Sequence, residues 1–175
     1  MFKKILMALS VISVPFVLFA ADFRVPMHLA TADGVGAQVG EVVITESEYG
    51  LVFTPSFSNI APGIHGFHVH ENPSCDPIIK DGVTTPAGAA GGHFDPTNSK
   101  AHKGPFVKDG HLGDLPALYA NTDGRIVYPV LAPKIKKLDE IKGRSLMLHV
   151  GGDNHEDQPA VLGGGGARLA CGIIK

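Results

Sequence analysis

The segment Gly66–Cys75 places two histidines two residues apart in an apolar, strand-like setting, with the sequence Gly-Phe-His-Val-His-Glu-Asn-Pro-Ser-Cys. Side chains of a β-strand alternate between its two faces, so His68 and His70 are expected to point the same way. Two imidazoles on one face can bind the same metal ion. The pair therefore predicts a strand that contributes half of a metal site.

Short apolar runs separated by turn residues extend along the chain. Runs rich in Val, Ile, Phe and Leu predict strands at residues 23–29, 40–45, 51–57, 66–70, 125–130, 145–150 and 168–172. Residues 134–141 are the best helical candidate, but Pro133 and Gly143 leave room for about two turns. With 22 Gly and 13 Pro among 175 residues, the pattern predicts one all-β domain.

Two long segments carry no predicted element. Residues 71–118 hold most of the remaining histidines, and residues 151–167 include four consecutive glycines, 163–166. Loops of this length inside a compact domain are usually functional or disordered. Because the first segment is rich in candidate ligands, we expect functional loops.

The first twenty residues resemble a secretory signal. Lys3 and Lys4 precede an apolar run that continues to Phe19, and small residues follow. The run contains Pro15 and spans about 15 residues. This length is short of the ~20 residues that a membrane-spanning helix needs. We therefore expect cleavage after Ala20 or Ala21, a mature domain of residues 21–175, export to the periplasm and no stable membrane insertion.

Export determines the expected oxidation state of the two cysteines and the net charge of the mature domain. Cys75 and Cys171 are the only cysteines, and an oxidising compartment favours a disulfide between them over two buried free thiols. Loss of Lys3 and Lys4 moves the formal net charge from −2 to about −4. A mildly acidic domain without a basic stripe gives no support for a nucleic-acid partner.

Further potential metal ligands follow the first pair in the sequence. Imidazole suits copper and zinc, and carboxylate readily joins imidazole on zinc. Their spacing alone leaves open one crowded site, two separate sites or two sites that share a ligand. These residues are His93, His102, His111, Asp114 and His149.

Five motifs in order give the chain a close resemblance to the Cu,Zn superoxide dismutases, specifically to their exported bacterial branch. The resemblance covers residues 25–175 and implies an eight-stranded antiparallel Greek-key barrel, or flattened sandwich, with two long functional loops. The motifs are Gly66-Phe-His-Val-His70, Gly91-Gly-His-Phe-Asp-Pro96, His111-Leu-Gly-Asp-Leu-Pro116, His149-Val-Gly-Gly-Asp-Asn154 and Gly165-Gly-Ala-Arg-Leu-Ala-Cys-Gly172.

The resemblance also implies one copper and one zinc per chain, held by seven ligands. Copper would be bound by His68, His70, His93 and His149, and zinc by His93, His102, His111 and Asp114. His93 would bridge the metals as an imidazolate, because two adjacent dications can replace its second proton.

Two further residues receive roles from the resemblance. Asp153 would hydrogen-bond one copper histidine and one zinc histidine, which fixes the orientation of both rings. Arg168 would guide the anionic substrate to copper. The Cys75–Cys171 bond would tie the loop after the copper pair to the strand of Arg168.

The implied activity is disproportionation of superoxide to O2 and H2O2, with His93 returning a proton to the product. Lys80, Lys100, Lys103 and Lys108 are candidates for additional steering of the anion. The main alternative is an exported copper or zinc buffer or donor without turnover; a zinc hydrolase and a copper-only dismutase are disfavoured. The chain is expected to be a monomer or a homodimer.

Three histidines stay outside the ligand set. We interpret His28, His65 and His155 as structural or surface residues. His65 precedes His68 by three residues and is expected to support the copper loop through hydrogen bonds. His155 lies in the second long loop, close to Asp153.

Overall fold

The computed structural model describes residues 22–175, so the signal sequence predicted for residues 1–20 lies outside the described residues. Eleven strands are present in that range, together with three short 3₁₀ turns at Gly88–Ala90, Leu138–Glu140 and Val161–Gly164. The strands are β1 Phe23–Thr31, β2 Gly34–Ser47, β3 Gly50–Phe57, β4 Gly63–His65, β5 Phe67–His70, β6 Ile78–Lys80, β7 Val83–Thr85, β8 Leu118–Ala120, β9 Val130–Ala132, β10 Arg144–His149 and β11 Arg168–Ile174.

Seven of these strands form one antiparallel sheet in the order β5-β10-β11-β1-β2-β3-β9. The last strand, β11, therefore lies beside the first, β1, and the chain closes on itself through a non-consecutive pairing. Strands β4 and β8 pair separately, as do β6 and β7. The prediction of an all-β antiparallel fold is confirmed, and the main sheet contains seven strands.

The sheet curls around one apolar core. Phe53 on β3 and Phe67 on β5 belong to strands at distant places in the strand order, yet their ring centroids lie 5.8 Å apart in an edge-to-face arrangement. Alternate residues of β1 to β3, such as Val25, Met27 and Ile44, are also buried in this core. Their alternation follows the period-two geometry of strands that are covered on one face.

Several element boundaries differ from the sequence-based expectation. The run predicted at 125–130 forms a strand only at Val130–Ala132, while Ile126 makes an isolated bridge with Phe57. The helical candidate at 134–141 is reduced to one 3₁₀ turn, in which the Glu140 carboxylate accepts bonds from backbone N–H groups. Within residues 22–175, no helix has the length and apolar character needed to cross a bilayer.

The hairpin β6–β7 lies inside the first long segment, where no strand was predicted. Asp81 and Gly82 join its strands with φ values of 52° and 75°. An Asp-Gly pair with two positive φ angles is typical of a two-residue hairpin turn. The Asp-Gly signal was present in the sequence, but flanking runs of three residues are short for strand recognition.

The predicted disulfide is confirmed. Cys75 and Cys171 are bonded, their Cα atoms are 5.7 Å apart, and 96 positions separate them in sequence. The bond packs with Met147 and Ala90 in a second, smaller buried cluster. It fixes the segment after β5 to β11, the strand that carries Cys171.

We predict that replacing both cysteines by alanine lowers the free energy of unfolding by about 4 kcal/mol, because the bond closes a long loop in the unfolded chain. Urea unfolding of the protein freed of metal measures the change. Wild-type protein under reducing conditions is the control and should match the double variant. A loss below about 1 kcal/mol would show that the crosslink contributes little to stability.

Candidate metal centre

Four histidines from two strands and one loop lie close together in the structure. His68 and His70 lie on β5, His149 ends β10, and His93 pairs with His70 through an isolated bridge. All four are buried, and one ring nitrogen from each lies within 4.8 Å of the others. The structure therefore places the four expected copper ligands in one cluster, which we call the first donor group.

The strand register explains this convergence. Strand β10 pairs with β5 so that Met147 lies opposite His68, and the backbone N–H of His149 donates to the Gly66 carbonyl at 2.8 Å. His149 thus sits just beyond the end of β5. The alternation of β5 turns His68 and His70 toward it, as predicted from their spacing.

Backbone carbonyls orient two of these rings. The Nδ1–H of His70 donates to the Gly91 carbonyl at 3.0 Å, and the Nδ1–H of His149 donates to the Gly166 carbonyl at 3.2 Å. A carbonyl oxygen only accepts, so the proton is on Nδ1 and the lone pair is on Nε2. The two Nε2 atoms lie 3.4 Å apart, as expected of donors facing a shared cation.

The expected zinc ligands converge on one carboxylate oxygen. Oδ1 of Asp114 lies 2.9 Å from Nδ1 of His93, 3.0 Å from Nδ1 of His102 and 3.3 Å from Nδ1 of His111. We call these four residues the second donor group. The ligand atoms that lie within 4.8 Å of one another here are those of His68, His93, His102 and Asp114, and His111 is not in that set.

Asp153 connects the two groups. Its Oδ2 accepts a hydrogen bond from Nε2 of His68 at 2.8 Å, and its Oδ1 accepts one from Nε2 of His102 at 2.8 Å. Both rings therefore carry a proton on Nε2, and Nδ1 is the nitrogen left for a metal ion. This contact matches the role that the resemblance implied for Asp153.

Two buried ring nitrogens without hydrogen bonds indicate whether the cluster suits metal ions. Nδ1 of His68 and Nδ1 of His102 are buried and have no hydrogen-bond partner. The nearby Asp114 oxygen is in contact with His102 but lies outside hydrogen-bonding geometry. Buried polar atoms are nearly always paired, and imidazole lone pairs beside a carboxylate suit copper and zinc. The donor set therefore fits the two metals.

Three histidines of the first donor group have lowered pKa values. Burial lowers the pKa of His68 and His70 well below the usual range, and lowers the pKa of His149 to about 4. These rings are neutral at pH 7 and free to donate lone pairs.

Around Asp114 and Asp153, contacts between carboxylates and histidines outweigh the effect of burial on the pKa values. Burial would raise the pKa of Asp114 and Asp153, but the neighbouring histidines, His102 foremost, outweigh it and lower both pKa values. Burial likewise opposes a charge on His102, yet the same two carboxylates raise its pKa to about 9. Metal binding at His102 must therefore displace a proton at neutral pH.

Arg168 lies beside the first donor group. Its guanidinium donates to the carbonyls of Ala87 and Gly91, the latter at 2.5 Å. The same Gly91 carbonyl accepts the Nδ1–H of His70, so the arginine and a candidate ligand share one acceptor. Residue register also places Arg168 opposite His149 across β10 and β11.

The three histidines outside the ligand set differ in their surroundings. Nδ1 and Nε2 of His65 each lie 2.8 Å from a backbone carbonyl, those of His149 and Ala61, so His65 supports the segment that carries His149. Nδ1 of His28 contacts the Gly36 carbonyl at 3.2 Å, away from both donor groups. The backbone N–H of His155 donates to Oδ1 of Asp153 at 2.7 Å.

Sequence reasoning missed two supports of this centre. Oδ2 of Asp157 accepts the backbone N–H of His102 at 2.9 Å and ties the second long loop to the first. Gly163 lies so close to the centre that a Cβ atom there would stand 1.9 Å from Oδ1 of Asp153 and 2.9 Å from Nε2 of His102. The run of four glycines was the available signal, but close approach to another residue cannot be read from one sequence.

We predict that Gly163→Ala displaces Asp153 and lowers zinc affinity about tenfold or more, the usual effect of disturbing a residue that orients metal ligands. Gly164→Ala is the matched control, because its φ of 84° resembles the 72° of Gly163 but its Cβ would meet only Ala160 at 3.5 Å. Chelator competition measures zinc affinity. If the two variants bound zinc with equal affinity, backbone strain alone would explain any loss relative to the wild type.

Comparison with known proteins identifies the family of the chain. The sequence model for copper/zinc superoxide dismutase matches residues 38–174 of this chain. A relative named superoxide dismutase [Cu-Zn], from Haemophilus parainfluenzae, is 63% identical over 137 residues, which are 78% of this chain and 73% of that protein.

Solved structures extend the likeness to three dimensions. The Cu/Zn superoxide dismutase from Brucella abortus has a TM-score of 0.86 at 56% identity and covers 89% of this chain and 100% of its own. The monomeric copper, zinc superoxide dismutase from Salmonella enterica has a TM-score of 0.80 at 57% identity with the same coverage. The chain belongs to the copper/zinc superoxide dismutase family.

Proposed function

We propose that the protein is a superoxide dismutase that converts two superoxide anions and two protons to O2 and H2O2. The observation that carries the proposal is the pair of buried donor groups joined at His93, with Arg168 beside the first group. Bound copper supplies the one-electron redox chemistry, and bound zinc supplies a fixed positive charge. Family membership and the donor set support one copper and one zinc per chain.

The hydrogen bonds support a specific ligand assignment. We assign copper to His68, His70, His93 and His149, and zinc to His93, His102, His111 and Asp114. His68 also lies near the second group, but its Nε2 is engaged by Asp153, which leaves a single nitrogen for metal. The Nδ1 of His93 faces Asp114, while its Nε2 has no hydrogen bond among the described residues. His93 is therefore the ligand with two nitrogens to share.

Arg168 would bind and orient the anionic substrate. The formal net charge is −2 for the whole chain, so superoxide meets an acidic protein and depends on local positive charge to approach the centre. Two backbone carbonyls hold the Arg168 guanidinium in place. By contrast, Lys103, one of the lysines considered for steering, is ion-paired with Asp109 at 2.6 Å.

His93 would deliver a proton to the product. The proton is held at Nε2, the ring nitrogen that Asp114 does not engage, and peroxide accepts it. Nδ1, which faces Asp114 in the second donor group, would stay engaged in that group and keep the ring in the same orientation while the proton leaves. Proton transfer then requires no movement of the histidine side chain.

A copper or zinc buffer on the same scaffold is not favoured. A buffer needs no guanidinium beside the donor group, and Arg168 is held there by two hydrogen bonds. A copper-only dismutase is also disfavoured, since His102, His111 and Asp114 complete a second donor group.

We further propose that the mature protein, residues 21–175, acts in the periplasm. The signal-like pattern of residues 1–20 and the Cys75–Cys171 disulfide support this compartment, because disulfides persist where conditions are oxidising. The relative from Salmonella enterica is described as monomeric, which favours a monomer over a homodimer for this chain.

We predict that Arg168→Ala lowers kcat/KM for superoxide at least about tenfold, because the substrate loses its nearest positive charge. Stopped-flow measurement at several salt concentrations, with elemental analysis of the same sample, tests this. Copper and zinc contents should stay near one each. Arg24→Ala is the control, since it removes an equal charge from an exposed pair with Glu41. Full metal loading of the wild type without turnover above that of free copper would favour the buffer.

We predict that His93→Ala weakens both metals, because one residue belongs to both donor groups. Copper absorption and paramagnetic resonance spectra should change together with the loss of zinc. His28→Ala is the control histidine and should leave both unchanged. If both metals bound the His93→Ala variant with unaltered spectra, the shared-ligand assignment would be wrong.

A further inference from the structure

A half-buried lysine outside the donor groups contacts the loop that carries His102 and His111, two of the proposed zinc ligands. Lys134 follows β9, and its ammonium donates hydrogen bonds to the carbonyls of Gly104, at 2.8 Å, and His111, at 2.5 Å. His111 is itself a proposed zinc ligand, and Gly104 lies two residues after another, His102. One side chain thus contacts both ends of the segment between two ligands.

The backbone on either side of Lys134 is fixed to the sheet. Ile135 is fully buried, and its carbonyl accepts the backbone N–H of Leu51 at 2.9 Å. On the other side, the ring of Pro133 restricts the backbone. The lysine stem therefore extends from a rigid position toward a loop that has no regular structure of its own.

The loop that Lys134 binds, residues 101–111, is closed at its base and exposed to solvent at its tip. The backbone N–H of His111 donates to the Ala101 carbonyl at 3.0 Å, which closes the loop at its base. Its tip is open to solvent, where Phe106 is 72% exposed. Gly104 and His111, in contrast, are buried, so loss of the lysine would leave two carbonyls without their charged donor.

The same carbonyl also connects Lys134 to the carboxylate ligand. The backbone N–H of Asp114 donates to the His111 carbonyl at 3.3 Å, so Lys134, His111 and Asp114 meet at one oxygen atom. Burial lowers the pKa of Lys134, whereas the nearby carboxylates of Asp114 and Asp95 raise it. The protein thus provides negative charge close to this ammonium.

We propose that Lys134 is a positioning residue for the zinc group. It binds the carbonyls of Gly104 and His111 and thereby holds His102, His111 and Asp114 at the spacing that zinc requires. The proposal rests on the assignment of His111 to zinc. It distinguishes the two metals, because no residue of the copper group lies in the loop of residues 101–111 that Lys134 binds.

The test compares Lys134→Met with Lys136→Met. Methionine keeps much of the length and removes the ammonium, and Lys136 is a neighbour whose ammonium contacts the Tyr49 carbonyl instead. We expect Lys134→Met to weaken zinc binding about tenfold or more, with copper affinity at the first group changed less than about twofold. Lys136→Met should match the wild type. Chelator competition measures both affinities without any assay of turnover.

Two further readouts separate positioning from general stability. Hydrogen exchange of residues 101–111 should accelerate in Lys134→Met, while exchange in β1 to β3 should stay unchanged. Lys134→Arg, which keeps a charged donor, should recover most of the zinc affinity. If Lys134→Met lost copper and zinc equally, or if exchange accelerated throughout the sheet, Lys134 would be a structural residue and the proposal would fail.

His111→Ala distinguishes failure of this proposal from failure of the ligand assignment. Loss of zinc in His111→Ala with unchanged zinc affinity in Lys134→Met would overturn the positioning role alone. Unchanged zinc affinity in His111→Ala would overturn the assignment of His111 to zinc and the inference built on it.

Discussion

The carboxylate of Asp153 accepts hydrogen bonds from His68 on β5 and from His102 in the first long loop, and it lies itself in the second long loop. Three parts of the chain that are distant in sequence therefore meet at one side chain. Each oxygen atom engages one Nε2 atom, which leaves one Nδ1 atom for each donor group. The proposed copper and zinc groups depend on this division, because it determines which nitrogen of each ring can bind metal.

The sheet and the loops contribute differently to the centre. His68, His70 and His149 belong to paired strands, whose backbone hydrogen bonds hold their relative positions. His102, His111 and Asp114 belong to a loop whose order depends on contacts made by side chains, among them those of Asp157 and Lys134. The proposed copper group is thus held mainly by strand pairing, and the proposed zinc group is held mainly by side-chain contacts within and to its loop.

Much of the fold class and of the donor set could be predicted from the sequence. The spacing of His68 and His70 was sufficient to predict a shared face, since a strand has a fixed period of two. The division of seven residues into two groups was not derivable from spacing, and it came from the resemblance. The roles of Lys134 and Gly163 were not foreseen, because both depend on contacts between segments that are far apart in the chain. The hairpin β6–β7 was missed because its strands have only three residues each.

The Gly91 carbonyl accepts hydrogen bonds from both Arg168 and His70. The proposed substrate-binding residue and a proposed copper ligand therefore share one acceptor atom. A change that withdraws the guanidinium would leave the Gly91 oxygen entirely to His70, whose N–H bond would become more polarised and whose Nε2 would become a stronger donor. Under the proposed assignment, a substitution of Arg168 would therefore change both the rate of substrate capture and the reduction potential of the centre.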